Sequence, residues 1–175
     1  ERGAAGLGFT GDFIHVEKGM TRINVKLNAE EETEINGMGP EIQRKEVQQL
    51  FEKLDRMKSG DVLVLSGSIP ASISDRIYEE IMARLEGRGI RIVVDATKDL
   101  LLNVLQYHPF LIKPNNHELG EMFGKVLTSE EEIVHYARIL QERGAVNVLI
   151  SMAGDGAVLI AENGEIYKRK PPVGT

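Results

Sequence analysis

Two polar segments follow apolar runs and carry residue types that handle phosphates and cations: Lys113-Pro114-Asn115-Asn116-His117-Glu118-Leu119 and Ser151-Met152-Ala153-Gly154-Asp155-Gly156. Open α/β sheets bind nucleotides and substrates where buried strands end, so position alone makes both segments candidates. Glu118 offers the carboxylate oxygens that a hard divalent cation prefers. Asn115-x-x-Glu118 also spells a helix N-terminus, Asn capping and Glu returning the bond, and for a lone pattern capping is the stronger reading. Both can hold at one helix end. His117 reads as a surface residue. In the second segment Gly154 and Gly156 would let backbone approach a ligand, whereas Asp155-Gly156 between apolar runs is also a hairpin signal.

Two more strand ends carry polar groups. Ser66-Gly67-Ser68-Ile69-Pro70 offers hydroxyls, or is a plain loop before a helix. Asp95 either caps a helix at Thr97 or stands near a cation. In Thr21 to Leu27 the residues alternate, with Arg22, Asn24 and Lys26 on one face and Ile23, Val25 and Leu27 on the other. The cationic face is a candidate anion contact, although a solvated exterior is the commoner cause of such alternation. Arg22 and Lys26 stand about 13 Å apart along a strand, so one phosphate is gripped mainly by one of them.

The elements that must position these groups follow from periodicity. Thr21 to Leu27 and Thr33 to Asn36 read as short strands, followed by a Gly37-Met38-Gly39-Pro40 turn and a helix with Val47, Leu50, Phe51 and Leu54 on one stripe. Asp61 to Leu65 is a continuous apolar run expected for a strand buried on both faces. Ile73, Ile77, Ile81 and Leu85 then mark a helix that Ser72-x-x-Asp75 can cap. Ile90 to Val94 predicts a strand, Leu100 to Gln106 a helix, and Phe110 to Ile112 another strand. Ser129-x-x-Glu132 is a capping box for a helix carrying Ile133, Tyr136, Ala137 and Leu140, which Gly144 ends before a strand at Val146 to Ser151. Ala157 to Ala161 and Glu165 to Lys170 pair across Asn163-Gly164. The order predicts an α/β fold: a mostly parallel sheet with helices on both faces.

Composition narrows the function classes. With 42% hydrophobic and 27% charged residues, 175 residues suffice for a folded core. A formal charge of −6 argues against nucleic acid bound through phosphates. The absence of cysteine removes disulfides, thiolate zinc sites and thiol nucleophiles. No apolar stretch approaches the roughly 18 residues that span a bilayer, and no signal-peptide pattern opens the chain, so the expectation is a cytoplasmic protein with no membrane partner. No Gly-x-Gly-x-x-Gly follows a strand and opens a helix, which argues against a nicotinamide-binding domain.

Together, Thr21-Arg22-Ile23-Asn24-Val25-Lys26-Leu27, Ser66-Gly67-Ser68-Ile69-Pro70, the Lys113 to Leu119 segment and Ser151 to Gly156 resemble the ribokinase-like (PfkB) sugar kinases. The resemblance covers nearly the whole chain but only the middle of such a kinase. It implies one ribokinase-like domain, residues 1–175 being its central part, with β-lid strands at about 11–37, an α/β core at 41–175, and the family's N- and C-terminal segments absent. It further implies ATP and Mg2+ as cofactors and phosphorylation of fructose 1-phosphate to fructose 1,6-bisphosphate. Kinases of tagatose 6-phosphate or fructose 6-phosphate share most of these motifs, and a non-catalytic sugar-phosphate sensor is the alternative outside catalysis. By resemblance, Arg22 first, then Lys26, with Asn24, Ser66 and Ser68, contact the sugar phosphate. Lys113, Asn115, Ser151, Ala153, Gly154 and Gly156 contact the nucleotide, and Glu118 and Asp95 lie near magnesium. Ala153 stands where the family usually has glycine. The family's general base is an Asp in a Gly-Ala-Gly-Asp signature at a helix N-terminus. Asp155 superficially matches it but precedes a strand-like run, so it is not nominated and the base is expected beyond Thr175. The apolar face of the lid implies a homodimer formed lid to lid.

Overall fold

The computed structural model describes residues 8–28, 32–37 and 39–171. Glu1 to Gly6, Glu30, Glu31, Met38 of the predicted turn, and Pro172 to Thr175 lie outside the described residues. The chain divides into two compact units, one running to Arg56 together with Ile69–Ser74, the other comprising Met57–Ser68 and the residues from Asp75 onward.

In the first unit, β1 (Asn24–Asn28) and β2 (Glu32–Asn36) form an antiparallel ribbon in which Val25 pairs with Ile35 and Asn24 with Asn36. The strand begins at Asn24 rather than at Thr21. The Gly37 N–H donates to the Ile23 carbonyl at 3.0 Å, and a Cβ at Gly37 would lie 2.7 Å from that oxygen. Ile23, Val25, Leu27 and Ile35 are all exposed. α1 (Arg44–Leu54) carries the predicted stripe, and the buried Glu46 accepts the Gln43 N–H at 2.9 Å. Ser72 belongs to this unit, where its Oγ accepts the Ile42 N–H at 3.0 Å.

The second unit is a sheet in the order β3-β4-β5-β6-β7-β8: β3 (Val62–Ser66), β4 (Arg91–Asp95), β5 (Leu111–Ile112), β6 (Asn147–Ser151), β7 (Ala157–Ile160) and β8 (Ile166–Arg169). The first four strands are parallel, and β7 and β8 return antiparallel, the latter pair across the Asn163-Gly164 turn. The connections carry α2 (Ile77–Leu85), α3 (Lys98–Val104) with a 3-10 turn at Leu105–Tyr107, α4 (Asn116–Met122) and α5 (Glu130–Glu142). This is the mostly parallel sheet with helices that the sequence predicts.

Register places Leu65, Val94, Ile112, Val148 and Ile160 side by side, and each is buried. That face packs in the same core as Ile81 and Leu85 of α2, Leu101 of α3, Leu119 of α4, and Ile133, Ala137 and Leu140 of α5. Right-handed crossovers between strands laid down in sequential order put their helices on one side of a sheet. The reading of β3 as buried on both faces is therefore corrected: Val62 and Val64, on the other face of this edge strand, are 54% and 59% exposed.

Helix α2 also begins later than predicted. Its N-cap is Arg76, Ile73 instead donates to the Pro70 carbonyl in a turn, and Ser72 is engaged with Ile42 rather than capping. The Ser129–Glu132 capping box is present, with the Glu132 N–H donating to Ser129 Oγ at 3.2 Å and the Ser129 N–H to Glu132 Oε2 at 3.2 Å. Backbone N–H bonds from Thr128 and Ser129 hold the Glu132 carboxyl below its ordinary range. Among the described residues no helix is long and apolar enough to cross a membrane.

Gly144 ends α5 at φ +135°, and a Cβ there would sit 2.0 Å from the Leu105 carbonyl oxygen. Gly87 also has a positive φ, +71°, but with nothing within 4 Å of an added Cβ. Gly87→Ala is therefore expected to cost about 1 kcal/mol from backbone strain alone, and Gly144→Ala about 2–4 kcal/mol from strain plus overlap, measured by urea unfolding.

Candidate functional site

The parallel ladder brings strand ends together. Ser66 and Asp95 are register partners at the ends of β3 and β4. One strand over, the Lys113 N–H donates to the Val94 carbonyl at 3.1 Å. Beyond β5, Asn115 bridges Ser151 in parallel, and the Ser151 N–H donates to the Pro114 carbonyl at 3.2 Å. Ser66, Asp95, Lys113, Asn115 and Ser151 thus stand along one rim of the sheet, although they come from four separate strands.

Lys113 and Asp95 form an ion pair at 3.1 Å, each side chain 38% exposed. Asp95 closes β4 and does not cap α3, whose N-cap Thr97 makes no side-chain cap bond. The capping alternative for Asp95 is thereby corrected. At the next strand end, Asn115 Oδ1 accepts the Glu118 N–H at 2.8 Å and Glu118 Oε2 accepts the Asn115 N–H at 2.7 Å. This is the reciprocal box the sequence predicts, behind a fully buried Pro114. His117 is exposed.

The loop from Ser151 to Gly156 joins β6 to β7 as a hairpin containing a 3-10 turn at Ala153–Asp155. The Met152 N–H donates to the Gly156 carbonyl at 2.8 Å, Asp155 to Met152 at 2.9 Å and Gly156 to Ala153 at 3.1 Å. The amides of Ala153 and Gly154 take no part in these bonds, and both residues are exposed. Ala153 holds a left-handed φ of +46°, strain that a glycine would lack. Gly156 is required at φ +98°, because a Cβ would meet the Arg169 carbonyl oxygen at 2.0 Å. Asp155 is exposed and followed by β7.

Beyond β3, Ser66, Gly67 and Ser68 are exposed, and Gly67 turns the chain at φ +100°. The Tyr78 hydroxyl, from the start of α2, donates to the Gly67 carbonyl at 3.1 Å. Burial, and secondarily the charge of Asp95, push the Tyr78 phenol up from its ordinary value. The sequence reading missed both this bond and the Asp95–Lys113 pair. Its sole signal for the first is one hydroxyl-bearing aromatic beside an aliphatic stripe.

Arg22, Asn24 and Lys26 belong to the first unit. Arg22 Nε donates to Asn24 Oδ1 at 2.9 Å, which holds these two polar groups together. Lys26 is on β1, and its side chain lies outside those described.

Among the described residues no cluster of three or more His, Asp or Glu side chains could hold a metal ion. The rim supplies two carboxylates, Asp95 and Glu118, each with one oxygen already engaged. Mg2+ characteristically keeps several waters and takes one or two carboxylates plus substrate phosphates. The donor set fits a cation carried by a phosphate ligand and not a protein-only cage.

The model of the pfkB family of carbohydrate kinases matches residues 8–174. The chain is 43% identical to the 1-phosphofructokinase of Bacillus subtilis, over 95% of this chain and 59% of that protein. It is 39% identical to a D-tagatose-1-phosphate kinase of Bacillus licheniformis, over 85% of this chain and 49% of that one. Among solved structures, phosphofructokinase-2 from Escherichia coli in complex with fructose-6-phosphate superposes with a TM-score of 0.76 at 26% identity, covering 86% of this chain and 52% of that one. The chain spans about half the length of the relatives it matches.

A half-exposed ion pair contributes little to folding, so a double-mutant cycle of Asp95→Asn and Lys113→Gln in urea is expected to give a coupling below about 1 kcal/mol. Asn115→Ala, which removes the cap, is expected to cost about 1 kcal/mol in the same measurement.

Proposed function

Because this chain belongs to the pfkB family of carbohydrate kinases, we propose that the full-length protein transfers the γ-phosphoryl group of ATP to fructose 1-phosphate, giving fructose 1,6-bisphosphate and ADP. The observation that carries this reading is the rim on which Ser66, Asp95, Lys113, Asn115 and Ser151 stand side by side. Identity of 43% to a 1-phosphofructokinase supports the choice of acceptor. A D-tagatose-1-phosphate kinase at 39% identity favours a second reading, the same chemistry on an epimeric ketose 1-phosphate.

The roles follow the chemistry of each group. Lys113 supplies positive charge to the nucleotide phosphates. Asn115 and Ser151 offer polar contacts, and the exposed Ala153 and Gly154 amides, which take no part in the bonds that hold the loop, offer donors to the same ligand, with Gly156 shaping their loop. Asp95 and Glu118 would hold Mg2+, which when bound withdraws charge from the phosphates. On the acceptor side, Arg22, followed by Lys26 and Asn24, would contact the sugar phosphate, and Ser66 and Ser68 its phosphate or hydroxyl oxygens. In the transfer, the sugar hydroxyl oxygen forms a bond to γ-phosphorus as the bond to the ADP oxygen breaks, and a base takes the hydroxyl proton. That base is proposed to lie outside these residues, because Asp155 is followed by a strand. Positioning and charge stabilisation supply most of the rate in such transfers.

The exposed apolar face of the ribbon, Ile23, Val25, Leu27 and Ile35, supports a homodimer formed ribbon to ribbon. A two-stranded ribbon with one wet apolar face is marginal alone, and pairing would cover it. Cytoplasmic residence belongs to the same proposal.

Comparing kcat/KM of the full-length protein on fructose 1-phosphate, tagatose 1-phosphate, fructose 6-phosphate and tagatose 6-phosphate tests the acceptor, with the first expected highest. Arg22→Ala is expected to raise KM for the sugar phosphate about ten-fold or more, the loss of a charged hydrogen bond, while KM for ATP holds. Sedimentation is expected to show a dimer that Val25→Lys shifts to monomer.

A further inference from the structure

The Ser66-Gly67-Ser68 loop is exposed and turns at Gly67 with a left-handed φ of +100°. The Tyr78 hydroxyl reaches this loop and donates to the Gly67 carbonyl oxygen at 3.1 Å. The donor sits on firm ground: Tyr78 is 8% exposed, between the buried Ile77 and Glu79. The start of α2 is fixed further by two bonds from the Arg76 guanidinium to the Glu79 carboxylate, both 3.2 Å. Filling the core asks only for an aromatic ring at this position. The hydroxyl adds one hydrogen bond, and its acceptor is the loop carbonyl between the two serines. Burial and the nearby charge of Asp95 keep the phenol protonated, so it remains a donor throughout the neutral range.

Resting on the kinase reading above, we propose that Tyr78 is a positioning residue for the sugar-phosphate contact, holding Ser66 and Ser68 in their orientation through the Gly67 carbonyl. It touches neither substrate nor reacting atoms.

The test compares the full-length protein with Tyr78→Phe, which keeps the ring and removes the hydroxyl. KM for fructose 1-phosphate is expected to rise about three- to ten-fold, the equivalent of one neutral hydrogen bond, while kcat and KM for ATP change by less than about two-fold. Amide hydrogen exchange at Gly67 and Ser68 is expected to quicken by a similar factor, with β4 amides unchanged. Unchanged exchange at Gly67 and Ser68 overturns the positioning role, and so does an equal rise in both KM values. A wild-type protein that turns over no sugar phosphate refutes the kinase reading instead. In that case the exchange measurement still decides whether Tyr78 orders the loop.

Discussion

The parallel ladder from β3 to β6 aligns four strand ends on one edge, and the polar residues gathered there have no other means of meeting. Ser66, Asp95, Lys113, Asn115 and Ser151 are far apart in the chain and adjacent at the rim through backbone pairing. Side chains alternate with a period of two, so a slip of one residue in any strand would exchange its buried and unburied faces. In β4 such a slip would drive Asp95 into the layer that holds Val94, which is fully buried. The buried row of Leu65, Val94, Ile112 and Val148 therefore fixes the site as much as it fixes the core. An apolar substitution there that preserves volume preserves the rim, and one that opens a cavity loosens register where the polar groups are carried.

Strand ends alone leave the loops free, and each loop is shaped by a short-range device of a different kind. At Asn115 it is a reciprocal pair of side-chain to backbone bonds. At Gly156 it is close approach of backbone to the Arg169 carbonyl, which excludes any side chain. At Gly67 it includes a bond to the backbone carbonyl from the buried Tyr78. The first two are hard to deform without breaking the fold nearby. The Tyr78 bond can be removed by deleting one oxygen atom while the aromatic ring stays in the core.

Local signals in the sequence were legible where chemistry and geometry coincide within three or four residues. The boxes at Asn115 and Ser129, the turn at Asn163-Gly164 and the strand-helix alternation are of this kind. Ser72-x-x-Asp75 carries the same signal and is not a cap, because Ser72 is bonded to Ile42, thirty residues earlier. The apolar run of β3 reads as a strand covered on both faces, yet coverage depends on which side the crossover helices take, a property of topology and not of the run. The same limit hid the partner of Asp95. A carboxylate at a strand end announces that it can bind something, and only the register reveals that Lys113 pairs with it.

That pairing bears on how the proposed ligand would bind. The formal charge of the chain is −6, and a nucleotide triphosphate brings more negative charge to it. At rest Lys113 and Asp95 form an ion pair at 3.1 Å, so each charge has an opposite charge beside it. A phosphate arriving alone would draw Lys113 away and leave Asp95 facing it as a like charge, whereas a cation alone would release Lys113 without an anion. Under the kinase reading, a cation and phosphates arriving together give each member of the pair a replacement partner of the right sign. On that reading the ion pair would act as a coupling element: its rupture would cost less with both ligands present than with either alone, and by linkage each would strengthen the other's binding. Because both side chains are more than a third exposed, water screens the pair and the rupture itself is cheap. Under the kinase reading the selectivity conferred would be for the combined ligand over its parts, from two residues whose contribution to folding is small.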